Sequence, residues 1–118
     1  MANTANQNIN IRVEITDNSP EVIAGVKNAI ARALWSIGAT AEGYAKANET
    51  RVDTGRLRNS ITHTEGENYT AIGTNVEYAA AHELGTSRGI TPLHYLHNAV
   101  ANHTGEYKNL VIESMKNI

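Results

Sequence analysis

Ser19-Pro20-Glu21-Val22-Ile23-Ala24-Gly25-Val26-Lys27-Asn28-Ala29-Ile30-Ala31-Arg32-Ala33-Leu34 opens the stretch on which the reading of the fold turns. Ser19 is a good N-cap, Pro20 suits the first helical position, and Glu21 favours the positive end of the helix dipole. Apolar residues follow at Val22, Ile23, Val26, Ile30, Leu34, Ile37, Ala41 and Tyr44, flanked by Ala29, Ala33 and Ala45. Spacings of three and four make one apolar stripe, so the pattern predicts one long helix. Carried to residue 49, it would be ~45 Å long at 1.5 Å per residue. Gly25, Gly38 and Gly43 each cost up to ~1 kcal/mol in a helix interior, which points to close packing or a bend.

Working outward, Ile9, Ile11, Val13 and Ile15 alternate with Asn10, Arg12, Glu14 and Thr16, the period of a half-buried strand. Residues 1–8 are small and polar and read as a flexible tail. Past the helix, Val52-Asp53-Thr54-Gly55 is a break, in which Asp53 or Thr54 can bond the following amides and Gly55 can take a positive φ. Leu57 to Thr64 is β-prone, Glu65-Gly66-Glu67-Asn68 is a turn, and Tyr69 to Thr74 returns, giving a hairpin. Asn75 can cap a short helix over 76–84 that Gly85 ends. After the loop Thr86-Ser87-Arg88-Gly89, Thr91-Pro92 restarts a helix, with Leu93, Leu96, Ala99 and Val100 on one side. Thr104-Gly105 interrupts it, and Tyr107, Leu110, Val111 and Met115 mark a last helical segment. The expectation is an α+β domain over 9–118. A three- to four-stranded antiparallel sheet packs against the long helix, beside a short helix and a C-terminal helix.

The 118 residues fit one domain. Hydrophobic residues make up 41%, and with one Trp, five Tyr and no Phe the core must rest on Ala, Ile, Val and Leu. Net charge is −2, without the basic excess of a dedicated nucleic-acid binder. The charge is uneven: residues 1–59 carry seven basic residues against six acids, and residues 60–118 three against six. Absence of cysteine removes disulfides, thiolate nucleophiles and Cys-based zinc sites, and fits a cytosolic setting. No apolar run approaches the ~20 residues of a membrane helix. The N-terminus lacks the basic start and apolar run of a secretory signal.

Candidate chemistry is thin. His82-Glu83 begins the zinc-protease pattern H-E-x-x-H, but position 86 is Thr, so the second ligand is missing. His94 and His97 are three apart on the last helical region, near His103, yet no carboxylate completes a ligand set nearby. Surface or interface histidines are the better reading, and neither a metal nor a cofactor is expected. There is no nucleophile elbow, P-loop or carboxylate pair at useful spacing, so catalysis is not expected. Arg51, Arg56 and Arg58 flank the break. They can hold phosphates or pair with carboxylates of this chain or a neighbour, and no aromatic interleaves them for base stacking. A small nucleic-acid-binding module built on these three arginines is the alternative reading.

Three segments carry a resemblance. Val52-Asp53-Thr54-Gly55-Arg56-Leu57-Arg58-Asn59-Ser60-Ile61 is the first. Val76-Glu77-Tyr78-Ala79, followed by Glu83-Leu84-Gly85-Thr86, is the second, and Pro92-Leu93-His94-Tyr95-Leu96-His97-Asn98-Ala99 the third. In this order they resemble the signatures of the gene-product-ten-like family of lambdoid phages. Its members are minor virion proteins of the neck and tail: tail components, tail-completion and head–tail joining proteins. The third segment departs from the pattern, with His97 where the family usually has Arg and Asn98 where it has Pro. The resemblance covers about residue 19 to the C-terminus. It implies an α+β fold and a virion structural role at the neck or tail end, after synthesis in the host cytoplasm. The subunit would form a ring, commonly sixfold, around the DNA channel. Its partners would be its own copies and the connector, tail-terminator or tail-tube proteins, with non-specific passage of DNA and no membrane. The acidic half would line the channel, where like charge repels DNA. A ring needs a heterologous interface, and loops are where function concentrates. The expected interface residues are therefore Arg51, Asp53, Thr54, Gly55, Arg56, Arg58, Glu83, Gly85, Thr86 and Arg88.

Overall fold

The computed structural model describes residues 9–49, 55–76, 79–85 and 94–116. In chain order the elements are α1 (Pro20–Asn48), α2 (Gly55–Ser60), β1 (Thr62–Glu65), β2 (Thr70–Gly73), α3 (Ala79–Leu84), α4 (Tyr95–Ala101) and α5 (Thr104–Met115). The expected tail at 1–8 lies outside the described residues, as do 117–118.

α1 starts as its sequence requires. Ser19 is extended, its hydroxyl accepts from the Val22 N–H at 3.4 Å, and Pro20 fills the first turn. The helix ends at Glu49, which is extended and whose N–H still reaches the Ala45 carbonyl. Its buried line is Val26, Ala29, Ala33, Gly38, Ala41 and Ala45. The small residues expected to flank the stripe are thus the most buried, while Ile30, Leu34, Ile37 and Tyr44 are half-buried. Without long side chains on that line, neighbouring elements approach the α1 backbone closely. α4, α5, α2 and both strands pack against it.

The sheet expectation is corrected. The described residues form one two-stranded antiparallel sheet, and the molecule is mostly helical rather than a three- to four-stranded sheet on a helix. Two misreadings account for this. Residues 9–16 have strand periodicity but, among the described residues, no pairing partner, and periodicity alone makes no ladder. The strand expected over 57–64 starts only at Thr62, and its first half, 57–60, belongs to the helix α2 instead. Leu57 and Ile61, both fully buried, are four apart, a spacing shared by the face of a helix turn and alternate positions of a strand. The Ser60 hydroxyl donates to the Leu57 carbonyl at 2.6 Å and bonds the Thr74 hydroxyl, closing that turn.

The hairpin forms where the turn was expected. His63 faces Ile72 and Glu65 faces Thr70 across the ladder, and the Gly66 N–H donates to the Tyr69 carbonyl at 2.8 Å. Gly38 sets how near the hairpin comes to α1. A Cβ there would lie 2.5 Å from Thr70 Oγ1 and 2.7 Å from His63 Nδ1. Close packing, not a bend, explains this glycine. The expected cap at Asn75 and helix start at 76 are displaced: Val76 N–H bonds Thr74 Oγ1, and the described part of α3 begins at Ala79. Gly85 ends α3 with φ 74°, as its position predicts. The cap expected at Thr91-Pro92 lies outside the described residues. α4 and α5 are separated at Asn102 and His103, just before the expected break.

Candidate functional site

The three segments that carry the resemblance converge at the C-terminal end of α1. Leu57 and Ile61 from the first, Val76 from the second, and Tyr95 and Ala99 from the third form one buried cluster with Ala45. Tyr44, Ile72, Ala79 and Leu96 cover it. Residues spread from position 45 to position 99 therefore share one core.

Glu83 holds the second and third segments together. It is 1% exposed, and its carboxylate accepts from the Leu96 N–H at 2.7 Å and the His97 N–H at 3.1 Å. The His94 N–H also donates to the Glu83 carbonyl at 3.1 Å. His94 stands at the N-cap of α4 in the left-handed region, φ 51°, and its side chain caps nothing. A helix start with no local cap leaves donors unsatisfied. Glu83 supplies the acceptor from α3, with a negative charge at the favourable end of the dipole. His94 Nδ1 stands 3.9 Å from the same carboxylate.

Tyr95 is fully buried beside this clip. Its hydroxyl donates to the Ala79 carbonyl at 3.2 Å, and Asn48 Nδ2 donates to the Tyr95 carbonyl at 3.3 Å. Burial first, and then the charges of Glu83 and Glu49, push its phenol well above the ordinary tyrosine value. Across the α4–α5 junction, Tyr44 stacks on His103 with ring centres 3.5 Å apart and donates to Glu106. That bond, followed by burial and the Glu106 charge, raises the Tyr44 phenol. Tyr107 donates to the Ala99 carbonyl, and its phenol is pushed up to about 12, first by burial, then by Glu106 and Tyr44.

The expected interface residues divide. Arg56 and Arg58 are exposed on α2, and Gly55 is exposed at its start. Gly55 has no positive φ; Gly85 does. Glu83 is buried, its carboxylate turned to the α4 amides. Gly85 is half-buried. Arg51, Asp53, Thr54, Thr86 and Arg88 lie outside the described residues. The histidines do not act as one group: His94 and His97 meet edge to face at 6.2 Å, while His103 stacks on Tyr44.

Sequence reasoning missed a surface patch on the middle of α1. Trp35 is 60% exposed and meets the His63 ring edge-on at 5.8 Å. His63 Nδ1 lies 2.5 Å from Glu65 Oε2, which Thr70 Oγ1 also reaches at 3.2 Å. Tyr69, at the hairpin turn, is 56% exposed. The signal was present: Trp35 directly follows Leu34 and so falls off the apolar stripe. A large aromatic on the open side of a helix is a common mark of a contact surface. No protein-family model, curated protein or solved structure matches this chain.

Proposed function

We propose that this chain is a structural subunit of a phage virion at the neck or tail end. It completes the tail or joins it to the head as one copy of a ring around the DNA channel. The observation that carries the reading is the convergence of the three signature segments on Ala45 in one cluster, clipped by Glu83. The three segments supply five of the six residues of that cluster, as the parts of one family core would. A second support is the apolar surface left open, with Trp35, Tyr69, Ile112 and the residues of 11–15 exposed. Exposed aromatic and aliphatic groups of this size fit a subunit that finishes burying itself against neighbours. In this reading the chain performs no catalysis, and its partners are its own copies and the connector, terminator or tube proteins that flank the ring.

Electron microscopy of lysates from the parent phage, with this gene interrupted by a nonsense codon, tests the proposal. Filled heads beside finished, unattached tails are expected for joining or completion. Overlong or absent tails would move the role to termination or tail assembly. Normal infectious particles would refute a structural role. The exposed Arg56 and Arg58 keep a nucleic-acid reading testable on the purified protein. It requires duplex binding whose log K falls by about 0.9 per log salt for each neutralised phosphate. Absence of binding at low salt disposes of it.

A further inference from the structure

Ile9-Asn10-Ile11-Arg12-Val13-Glu14-Ile15-Thr16 has the alternation of a strand and, among the described residues, exchanges no main-chain hydrogen bond with any element. Arg12 and Glu14 pair at 3.3 Å across two positions, so they lie on one side of the segment. Ile11, Val13 and Ile15 take the other register and remain 37%, 36% and 39% exposed. Among the described residues, Ile11 and Val13 line an open groove with Val111, Ile112 and Met115 of α5, with Arg12, Lys108 and Lys116 around it.

β1 has the complementary deficit. β2 pairs with one of its edges, and no described strand occupies the other. That edge, Thr62-His63-Thr64-Glu65, carries neither Lys nor Pro, and its one acid, Glu65, is engaged by His63 and Thr70. Beside β1 stands Trp35 of α1, exposed and edge-on to the ring of His63. An unpaired strand with one apolar side and an unpaired edge flanked by an open indole satisfy each other.

We propose that residues 9–16 of one copy add to the free edge of β1 in a second copy, laying Ile11, Val13 and Ile15 over Trp35. The inference rests on the self-assembly reading above and names the contact that performs it. Donor and acceptor are different surfaces, so the contact can pass from copy to copy, and it makes a ring where the rotation between copies closes. His63 and Glu65 point toward α1, whereas Thr62 and Thr64 are exposed. Added in this sense, the segment puts Asn10, Arg12 and Glu14 on the outer face with Thr64.

The chain has no cysteine and one tryptophan, so both probes are clean. Full-length copies carrying Asn10→Cys, Arg12→Cys or Glu14→Cys are each mixed with a Thr64→Cys copy and oxidised. Opposed residues on paired strands have Cβ atoms about 4.5–5.5 Å apart, near disulfide reach. At least one mixture is expected to give the mixed disulfide, and Val13→Cys, on the opposite face, is expected to give none. Trp35 emission should move to shorter wavelength as protein concentration rises. Arg12→Pro/Val13→Pro, which removes a donor on both edges of the segment, should abolish the shift and the cross-link while leaving the helical circular dichroism unchanged. An Arg12→Cys/Thr64→Cys chain that closes on itself at every dilution would overturn the proposal in favour of pairing within one copy. Undiminished oligomers of the double-proline variant would overturn it too, and leave the ring reading standing. A chain that stays monomeric, with no cross-link, would overturn it even if gene interruption gives unattached heads and tails. Normal phage without the gene would instead sink the ring reading.

Discussion

Removing the Glu83 carboxylate should loosen the junction of α3 with α4 more than any surface change in the chain. The carboxylate is buried and accepts two N–H groups at the start of a seven-residue helix whose N-cap side chain contributes nothing. Each bond to a charged group contributes roughly 1.5–3 kcal/mol, and each orphaned buried donor costs roughly 1–3 kcal/mol. Losing the desolvation penalty of the carboxylate offsets part of this. Glu83→Ala is therefore expected to destabilise by about 3–4 kcal/mol, a large share of the roughly 5–15 kcal/mol that holds an ordinary domain folded. Glu83→Gln keeps one acceptor but turns an amide N–H₂ toward a backbone donor, and should lose about half as much. At roughly 2.1 cal/mol/K of unfolding entropy per residue, each kcal/mol lowers Tm by about 4 °C. Thermal unfolding followed by far-UV circular dichroism should thus show Tm falling by about 12–16 °C for Ala and about half that for Gln. Glu113→Ala, which breaks only the exposed pair with Lys116 at 3.0 Å, should stay near the parent and serves as the control. A Glu83→Ala protein within about 4 °C of the parent, close to 1 kcal/mol, would refute the clip.

Two glycines of α1 should respond with opposite signs. Gly38→Ala places a methyl against Thr70 and His63 and should destabilise by about 1–3 kcal/mol despite alanine's better helix propensity. Gly43→Ala meets nothing within 4 Å and should stabilise by about 0.5–1 kcal/mol; denaturant midpoints read both. Alkaline titration should expose Tyr107. Its folded value is raised from 10.0 to about 12, so its contribution is intact below pH 10 and is lost as pH rises toward 12. Unfolding monitored by tyrosinate absorbance should coincide with that window, and a Tyr107 that ionises freely near pH 10 in the folded protein would contradict its burial. Leu57→Ala, at a fully buried position in α2, should cost about 2–5 kcal/mol by the same denaturant assay.

Much of the helical frame was legible because its signals are local. Ser19, Pro20 and Glu21 announce the start of α1, and Gly85 announces the end of α3, through chemistry that acts within a few residues. The hairpin was readable for the same reason, from its turn at Gly66. What failed was non-local. Whether Ile9 to Thr16 pairs depends on a partner edge that its own sequence does not describe. Leu57 and Ile61 satisfy a helix turn and a strand equally well, and burial against Ala45 decided between them. Glu83 read as the end of a short helix beside a glycine, because nothing adjacent reveals that its acceptors are needed thirteen residues later at Leu96. The reverse holds for Trp35: its place off the apolar stripe was visible, and only the fold shows that it stands beside β1.

The core cluster also fixes the order in which the protein becomes complete during synthesis. Ala45, Leu57, Ile61 and Val76 emerge early, yet the pocket they form is closed by Tyr95 and Ala99, and Tyr107 then locks onto Ala99. A nascent chain therefore carries an open apolar trough on α1 until its last helices clear the ribosome. Contacts so distant in sequence form late, and exposed troughs of this kind are where unfinished chains stick to one another. A frameshift or stop codon near position 95 would leave a translated majority of the chain that cannot seal itself, and it should be recovered in inclusion bodies rather than as a smaller folded domain.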